Sequence, residues 1–172
     1  MEAMIAARVL HVLGVVLWIG GVAFVTAVLL PAATRMRSPQ ERIAFFESVE
    51  RRFASHARIT TLVTGATGLY LVHALDAWRR FERVEYWWMH AMVAIWALFT
   101  LLLFVIEPLA HRRSSTRSTD AAGSAAYAEQ PRHASDRAFT RVVRMHWILL
   151  GASLLTIAGA VAGSHGYLLF AR

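Results

Sequence analysis

Four long apolar stretches constrain the fold of this 172-residue chain more than any other feature. A helix needs about 20 mostly apolar residues to cross a bilayer, and the sequence predicts spans at about residues 9–33, 59–75, 86–106 and 142–170. Hydrophobic residues make up 57% of the chain and charged residues 17%, which is more apolar surface than one small soluble core can bury. We therefore predict an all-α, polytopic membrane protein, with a bundle of four transmembrane helices forming one domain over residues 1–172.

The arginines predict the orientation of this bundle. The chain has 18 basic residues, and all of them are arginine. Thirteen lie in the two long connections, residues 34–58 and 108–144, and five lie on the other side. By the positive-inside rule the long connections are cytoplasmic and both termini are periplasmic, in a bacterial inner membrane. Because topology accounts for the basic charge, the lipid bilayer is the expected partner and nucleic acid is not.

The two cytoplasmic connections differ in character. Ser38-Pro39-Gln40-Glu41 has the pattern of a capping box with proline at the first helical position. An amphipathic helix is predicted at about residues 39–58, either on the membrane surface or as an extension of the second span. Residues 111–136 are rich in small and polar side chains without periodicity, which predicts a flexible loop. The first span is predicted to be retained, because its apolar run exceeds the roughly 7–15 residues of a signal-peptide core.

Histidines are the candidate functional residues, because an ionisable group inside a bilayer is costly and often marks a functional site. Each predicted span places one histidine near the periplasmic face: His11, His73, His90 and His165. His56 and His146 lie near the cytoplasmic face. Neutral imidazole binds haem iron and copper. The alternative interpretation of each residue is a hydrated polar side chain at the membrane interface.

The spacing of small residues favours His11 and His90 as ligands of one haem. His11, Gly14 and Trp18 share a helical stripe on the first span, where a glycine leaves room for a macrocycle edge. A second haem, held by His73 with His165 or by His56 with His146, is the alternative. The competing interpretation of the glycines is that they allow close helix packing. The competing interpretation of Trp18 is that it lies in the apolar core.

The first span also resembles known families. Leu10-His11, followed by Trp18 and Gly20-Gly21, resembles the first span of CopD-type copper-resistance membrane proteins. It is similar to HemJ-type protoporphyrinogen oxidases as well, and that similarity extends through Glu50-Arg51-Arg52, Gly68-Leu69 and Trp88-Met89-His90. The resemblance implies a four-helix membrane protein that binds haem b, with His11 and His90 at the matching histidine positions. HemJ-type enzymes carry a functional lysine two residues after the second histidine, whereas this chain has Met92.

These observations give three functional expectations. The first is a haem b-binding membrane protein, similar to b-type cytochromes, which transfers electrons between a quinone or a periplasmic redox protein and the haem. The second is copper binding or transport through the same periplasmic histidines. The third is HemJ-like porphyrin oxidation, which ranks last because of Met92. Activity as a membrane oxidoreductase and assembly into a homo-oligomer are left open by the sequence.

Overall fold

The computed structural model describes residues 1–36, 38–109 and 132–167, and every regular element in these ranges is helical. The predicted all-α class is therefore confirmed. We number the α-helices α1 (Glu2–Phe24), α2 (Leu30–Thr34), α3 (Pro39–Ala74), α4 (Trp87–Leu101) and α5 (Arg132–Ser164). Two short 3-10 helices, Ala77–Glu82 and Val84–Tyr86, connect α3 to α4. Most of the loop predicted at residues 111–136 lies outside the described residues, and α5 already includes its last positions.

Three helical segments are long and apolar enough to cross a membrane. They are Glu2–Thr34, Val84–Leu109 and Phe139–Ser164, and they correspond to the first, third and fourth predicted spans. The second predicted span, residues 59–75, lies in α3 and does not reach the same apolarity. Four threonines and His73 in this stretch lower its hydropathy. The fourth span was predicted to end near Phe170, whereas α5 ends at Ser164.

Helix α3 is one continuous element of 36 residues. Ser38 is its N-cap, and its side chain accepts a hydrogen bond from the Glu41 backbone N–H at 3.3 Å. Pro39 occupies the first turn, as predicted. At 1.5 Å per residue α3 is about 54 Å long, well beyond the roughly 30 Å of a bilayer core. The amphipathic segment is thus an extension of the helix, and the alternative of a separate surface helix is wrong.

The most extensive helix–helix contact is the antiparallel packing of α1 against α3. Gly14 lies opposite Thr64, and Gly21 lies opposite Phe53. Trp18 is 3% exposed and meets Phe99 of α4 edge to face, with ring centroids 4.9 Å apart. A buried cluster around these two rings joins α1, α4 and α5, and its other buried members are Ile19, Val22, Leu149 and Leu150.

Two further apolar clusters lie towards the ends of the helices. Near the junction of α1 with α2, buried Val25, Leu29 and Leu30 pack against Phe45 and Phe139 of α3 and α5, among other side chains. At the opposite end, a cluster of Ala77, Trp88 and Met89 closes the connection between α3 and α4. Many large apolar side chains nevertheless remain exposed on the outer helix surfaces, which is compatible with contact to lipid.

The apolar segments Glu2–Thr34 and Val84–Leu109 each contain a π-helical turn. Val25–Leu29 separates α1 from α2, and Leu102–Ile106 continues α4. A π turn holds one more residue than an α turn and leaves local backbone groups in need of partners. Inside the first, the Thr26 hydroxyl donates to the Val22 carbonyl at 2.7 Å. In the second, the Arg58 Nε–H of α3 donates to the Leu103 carbonyl at 3.1 Å.

Candidate functional site

Four histidines are predicted from the sequence to lie near the periplasmic face. Among these four, His11 alone is partly buried. Its Nδ1 lies 3.0 Å from the Thr64 carbonyl oxygen and 3.3 Å from the Thr67 hydroxyl, both on α3. A carbonyl can only accept, so Nδ1 carries the proton in this hydrogen bond. In the neutral ring Nε2 then has a lone pair available for a metal ion. This is the arrangement by which proteins commonly orient a histidine ligand.

Gly68 brings the imidazole close to α3. A Cβ at this position would lie 3.1 Å from Cε1 and 3.4 Å from Nδ1 of His11. The glycine therefore allows the flat ring to lie against the helix backbone. From the sequence alone, close helix packing is the expected role of a glycine such as Gly68. Thr67 also bonds within its own helix, to the Val63 carbonyl at 2.6 Å. Thr64, Thr67 and Gly68 are spaced by three and four residues, which places them on one face of α3. This spacing was the only sequence signal for the helix face that contacts His11.

Gly14 and Trp18, predicted to border a macrocycle, are both engaged in helix packing. A Cβ at Gly14 would lie 2.5 Å from the Thr64 hydroxyl oxygen, so the space beside the glycine is filled by α3. Trp18 belongs to the central apolar cluster. The room for a cofactor expected beside this stripe is therefore not open. A groove in the same part of α1, lined by Ile5, Arg8, Val9, Val12 and Leu13, does not include His11.

Within about one helical turn of the contact between Gly14 and Thr64, three buried polar atoms have no hydrogen-bond partner among the described residues. They are Trp18 Nε1, Thr61 Oγ1 and Thr64 Oγ1. Trp96 Nε1 of α4, by contrast, donates to the Thr61 carbonyl at 3.0 Å. Unsatisfied polar groups cost several kcal/mol in an apolar membrane interior. The indole N–H and the two hydroxyls are thus suited to a polar group of a bound cofactor.

The other three histidines that were predicted near the periplasmic face do not contact His11. His73 is exposed near the end of α3, and His165 is exposed in the turn after α5, where its Nδ1 donates to the Val161 carbonyl at 2.9 Å. His90 is exposed on α4 and packs edge to face against Phe81, with centroids 5.3 Å apart. At about 100° per residue, His90 points roughly 180° away from Phe99, the side of α4 that faces α1.

His11 and His90 nevertheless lie at a similar height along the helices. The contact between Trp18 and Phe99 sets the relative position of α1 and α4, which run in the same direction because each is antiparallel to α3. His11 precedes Trp18 by seven residues and His90 precedes Phe99 by nine, or about 10 and about 14 Å along the helices. The two helices therefore hold these histidines in one layer, on faces that do not meet.

The two histidines at the other end of the molecule are separately placed. His56 is exposed on α3. His146 is half-buried on α5, and its Nδ1 donates to the Val142 carbonyl one turn earlier, at 2.9 Å. Within the described part of the chain, no group of three or more His, Asp or Glu residues is arranged to hold a metal ion.

An ion pair that sequence reasoning missed links α3 to the segment after α4. Arg58 Nη2 lies 3.2 Å from Glu107 Oε1, and the side chains are 31% and 19% exposed. In the sequence, Arg58 is one of the arginines that predict the topology. That role does not predict the pair with Glu107, because the pair depends on which turns of α3 and of the segment after α4 lie side by side.

Comparisons of the chain with family models, with curated proteins and with solved structures find no match. The resemblance to CopD-type and HemJ-type proteins therefore stays a prediction from the motifs.

Proposed function

We propose that this protein is a bacterial inner-membrane protein that would bind haem b through His11. The observation that carries the proposal is the hydrogen bond from His11 Nδ1 to the Thr64 carbonyl, which fixes the ring and leaves Nε2 as the coordinating atom. His11 lies within an apolar helix that is long enough to cross a membrane. An ionisable side chain in such a setting often marks a functional site.

The proposed topology is a bundle of four spans with both termini periplasmic, and α3 supplies the second span. Its antiparallel contact with α1 extends from Gly14–Thr64 to Gly21–Phe53, so the two helices share their depth. Two of the four threonines that make α3 less apolar, Thr60 and Thr67, bond to carbonyls of the same helix, as a membrane requires. The Thr60 hydroxyl bonds the His56 and Ala57 carbonyls, each at 3.1 Å.

Helices α1 and α3 would supply most of the groups that hold the cofactor. Thr64 and Gly68 of α3 would orient the His11 ring. His90 of α4, the second ligand expected from the sequence, lies in the same layer but on the face of α4 that points away from α1. Trp18 Nε1 and the Thr61 hydroxyl offer hydrogen-bond donors. When bound, haem supplies a one-electron centre, which suits transfer between a quinone and a periplasmic redox protein. The fit rests on the ligand and these donors, since Gly14 and Gly21 of α1 are already packed against α3.

The first test is the optical spectrum of the purified protein. We expect Soret and α bands with about one haem per chain, loss of the haem in His11→Ala, and retention in the exposed control His56→Ala. A His11→Ala protein that keeps full haem would contradict the assignment. A colourless wild-type protein that binds copper through His11 would instead support the copper alternative.

His90→Ala tests the second ligand separately. If His90 coordinates the iron, we expect this variant to retain haem but to change from a six-coordinate, low-spin spectrum to a five-coordinate, high-spin spectrum. An unchanged spectrum would remove His90 from the site while leaving the role of His11 intact.

A further inference from the structure

Three arginines form an exposed stripe at the beginning of α5. Arg137, Arg141 and Arg144 are each exposed and follow one another at intervals of four and three residues. This spacing places them on one face of the helix, one above the other. None of the three makes an ion pair with a residue that the structure describes.

The stripe lies where α5 enters its apolar segment. The membrane-capable stretch begins at Phe139, so the arginines span its first turns. The same face continues with Ile148, which is 62% exposed, then Gly151, whose Cβ position is open, then Leu155, which is 65% exposed. The opposite face carries buried side chains that pack into the molecule, namely Leu149, Leu150 and Ser153.

This order of side chains matches the cross-section of a lipid. Guanidinium groups bind phosphate oxygens in a bidentate fork. In the proposed topology, on which this inference rests, the start of the apolar segment near Phe139 brings the arginines to the phosphate layer. The apolar side chains below them lie at the depth of the acyl chains, and Gly151 leaves a notch between Ile148 and Leu155. Basic side chains next to a membrane span attract anionic lipid, at about fivefold in affinity for each residue.

We propose that this face of α5 binds an anionic phospholipid of the adjacent leaflet. Arg137, Arg141 and Arg144 hold its phosphate, and its acyl chain lies along Ile148, Gly151 and Leu155. The occupant is a lipid because the charged stripe leads without interruption into an apolar face that a soluble anion would leave uncovered. The site is independent of haem, because none of its residues belongs to the His11 region.

The test is native mass spectrometry of the full-length protein in mild detergent, titrated with phosphatidylglycerol. We expect the wild type to retain this lipid in preference to phosphatidylcholine of the same acyl chains. The variant with Arg137, Arg141 and Arg144 all replaced by Gln should bind phosphatidylglycerol about a hundredfold more weakly. Replacing the three by Lys should give an intermediate affinity, since the charge remains but the fork is lost.

The matched control removes two exposed arginines elsewhere, Arg35→Gln with Arg52→Gln. An equal loss per charge in this control would show general electrostatic attraction and overturn the site on α5. Equal retention of the two lipids by the wild type would also overturn it, as would displacement of the lipid by an equal concentration of inorganic phosphate. Circular dichroism of each variant verifies that it is folded. The single variant Arg141→Gln is expected to bind phosphatidylglycerol about fivefold more weakly and is the smallest change that tests the site.

Discussion

At the scale of the residue, His11 is positioned by its neighbours on α3. Thr64 accepts from the ring, and Gly68 lets the ring approach the helix. Sequence reasoning could select His11, because a histidine within an apolar span is conspicuous. It could not select Thr64 or Gly68 as its partners, because periodicity describes one helix at a time and says nothing of which turn of another helix lies opposite.

Gly14 gives a prediction at this scale, with Gly20 as its control. A Cβ at Gly14 would lie 2.5 Å from the Thr64 hydroxyl, whereas one at Gly20 meets nothing within 4 Å. We expect Gly14→Ala to destabilise the protein by about 1–3 kcal/mol through overpacking of α1 against α3. Gly20→Ala should stabilise it by about 0.5–1 kcal/mol, because alanine is the better helix former.

Thermal unfolding in detergent, followed by circular dichroism, measures both variants. Equal melting temperatures for Gly14→Ala and Gly20→Ala would show that α1 and α3 are not in close contact at Thr64. Because Thr64 also accepts the His11 hydrogen bond, Gly14→Ala should weaken haem binding as well.

At the scale of the element, α3 shows the difference between a helix and a span. The sequence argument divided residues 39–75 where charged residues give way to apolar ones, and the structure joins both parts in a single helix. Hydropathy governs which part of a helix lies in lipid, while backbone propensity and capping govern where the helix begins and ends. Ser38 and Pro39 predicted the beginning correctly for this reason. The pair between Arg58 and Glu107 then accommodates charge near the predicted boundary.

The Arg58 interactions provide a prediction at this scale. Arg58→Met removes the partner of Glu107 and the donor to the Leu103 carbonyl in the π-helical turn. We expect it to destabilise the protein by about 1–3 kcal/mol, towards the low end because both side chains are partly exposed. Glu107→Gln should cost less, since the contact of Arg58 with Leu103 remains.

A double-mutant cycle in thermal unfolding separates the pair from its surroundings. The variant with both Arg58→Met and Glu107→Met should be more stable than the sum of the single changes predicts, because each single change already removes the ion pair and the double change cannot remove it twice. Strictly additive effects would mean that the ion pair contributes nothing to the stability of α3 against α4.

At the scale of the whole molecule, composition predicted the helical class and three of the membrane-capable segments. The second predicted span lies in α3, where two of the threonines that lower the apolarity of the sequence bond within the helix. Hydropathy counts each threonine as polar, but the structure shows Thr60 and Thr67 bonded to backbone carbonyls of the preceding turn. For His11 and His90, the sequence predicted their similar depth along the helices. It could not predict the direction in which each side chain points, because that depends on how the helices pack.

The absence of cysteine from the sequence makes the topology directly testable. Single cysteines at exposed positions before and after the proposed second span, Ala44→Cys and Arg79→Cys, can be labelled with a membrane-impermeant maleimide. In intact spheroplasts we expect Arg79→Cys to react and Ala44→Cys to react only after permeabilisation. Reaction of both from the same side would show that α3 does not cross the membrane.

The π-helical turn at Val25–Leu29 bears on how this chain should be compared with any relative. Along a regular α-helix, the Leu30 side chain would point about 80° away from that of Val22. The π turn takes up one extra residue, which rotates the later positions back by about 100°, so the two side chains differ by only about 20° and share one face. Both side chains are in fact buried, at 4% and 0% exposure. A relative with an unbroken α-helix here would need a one-residue gap in the alignment. Without that gap, every position after the turn would be matched to the wrong face.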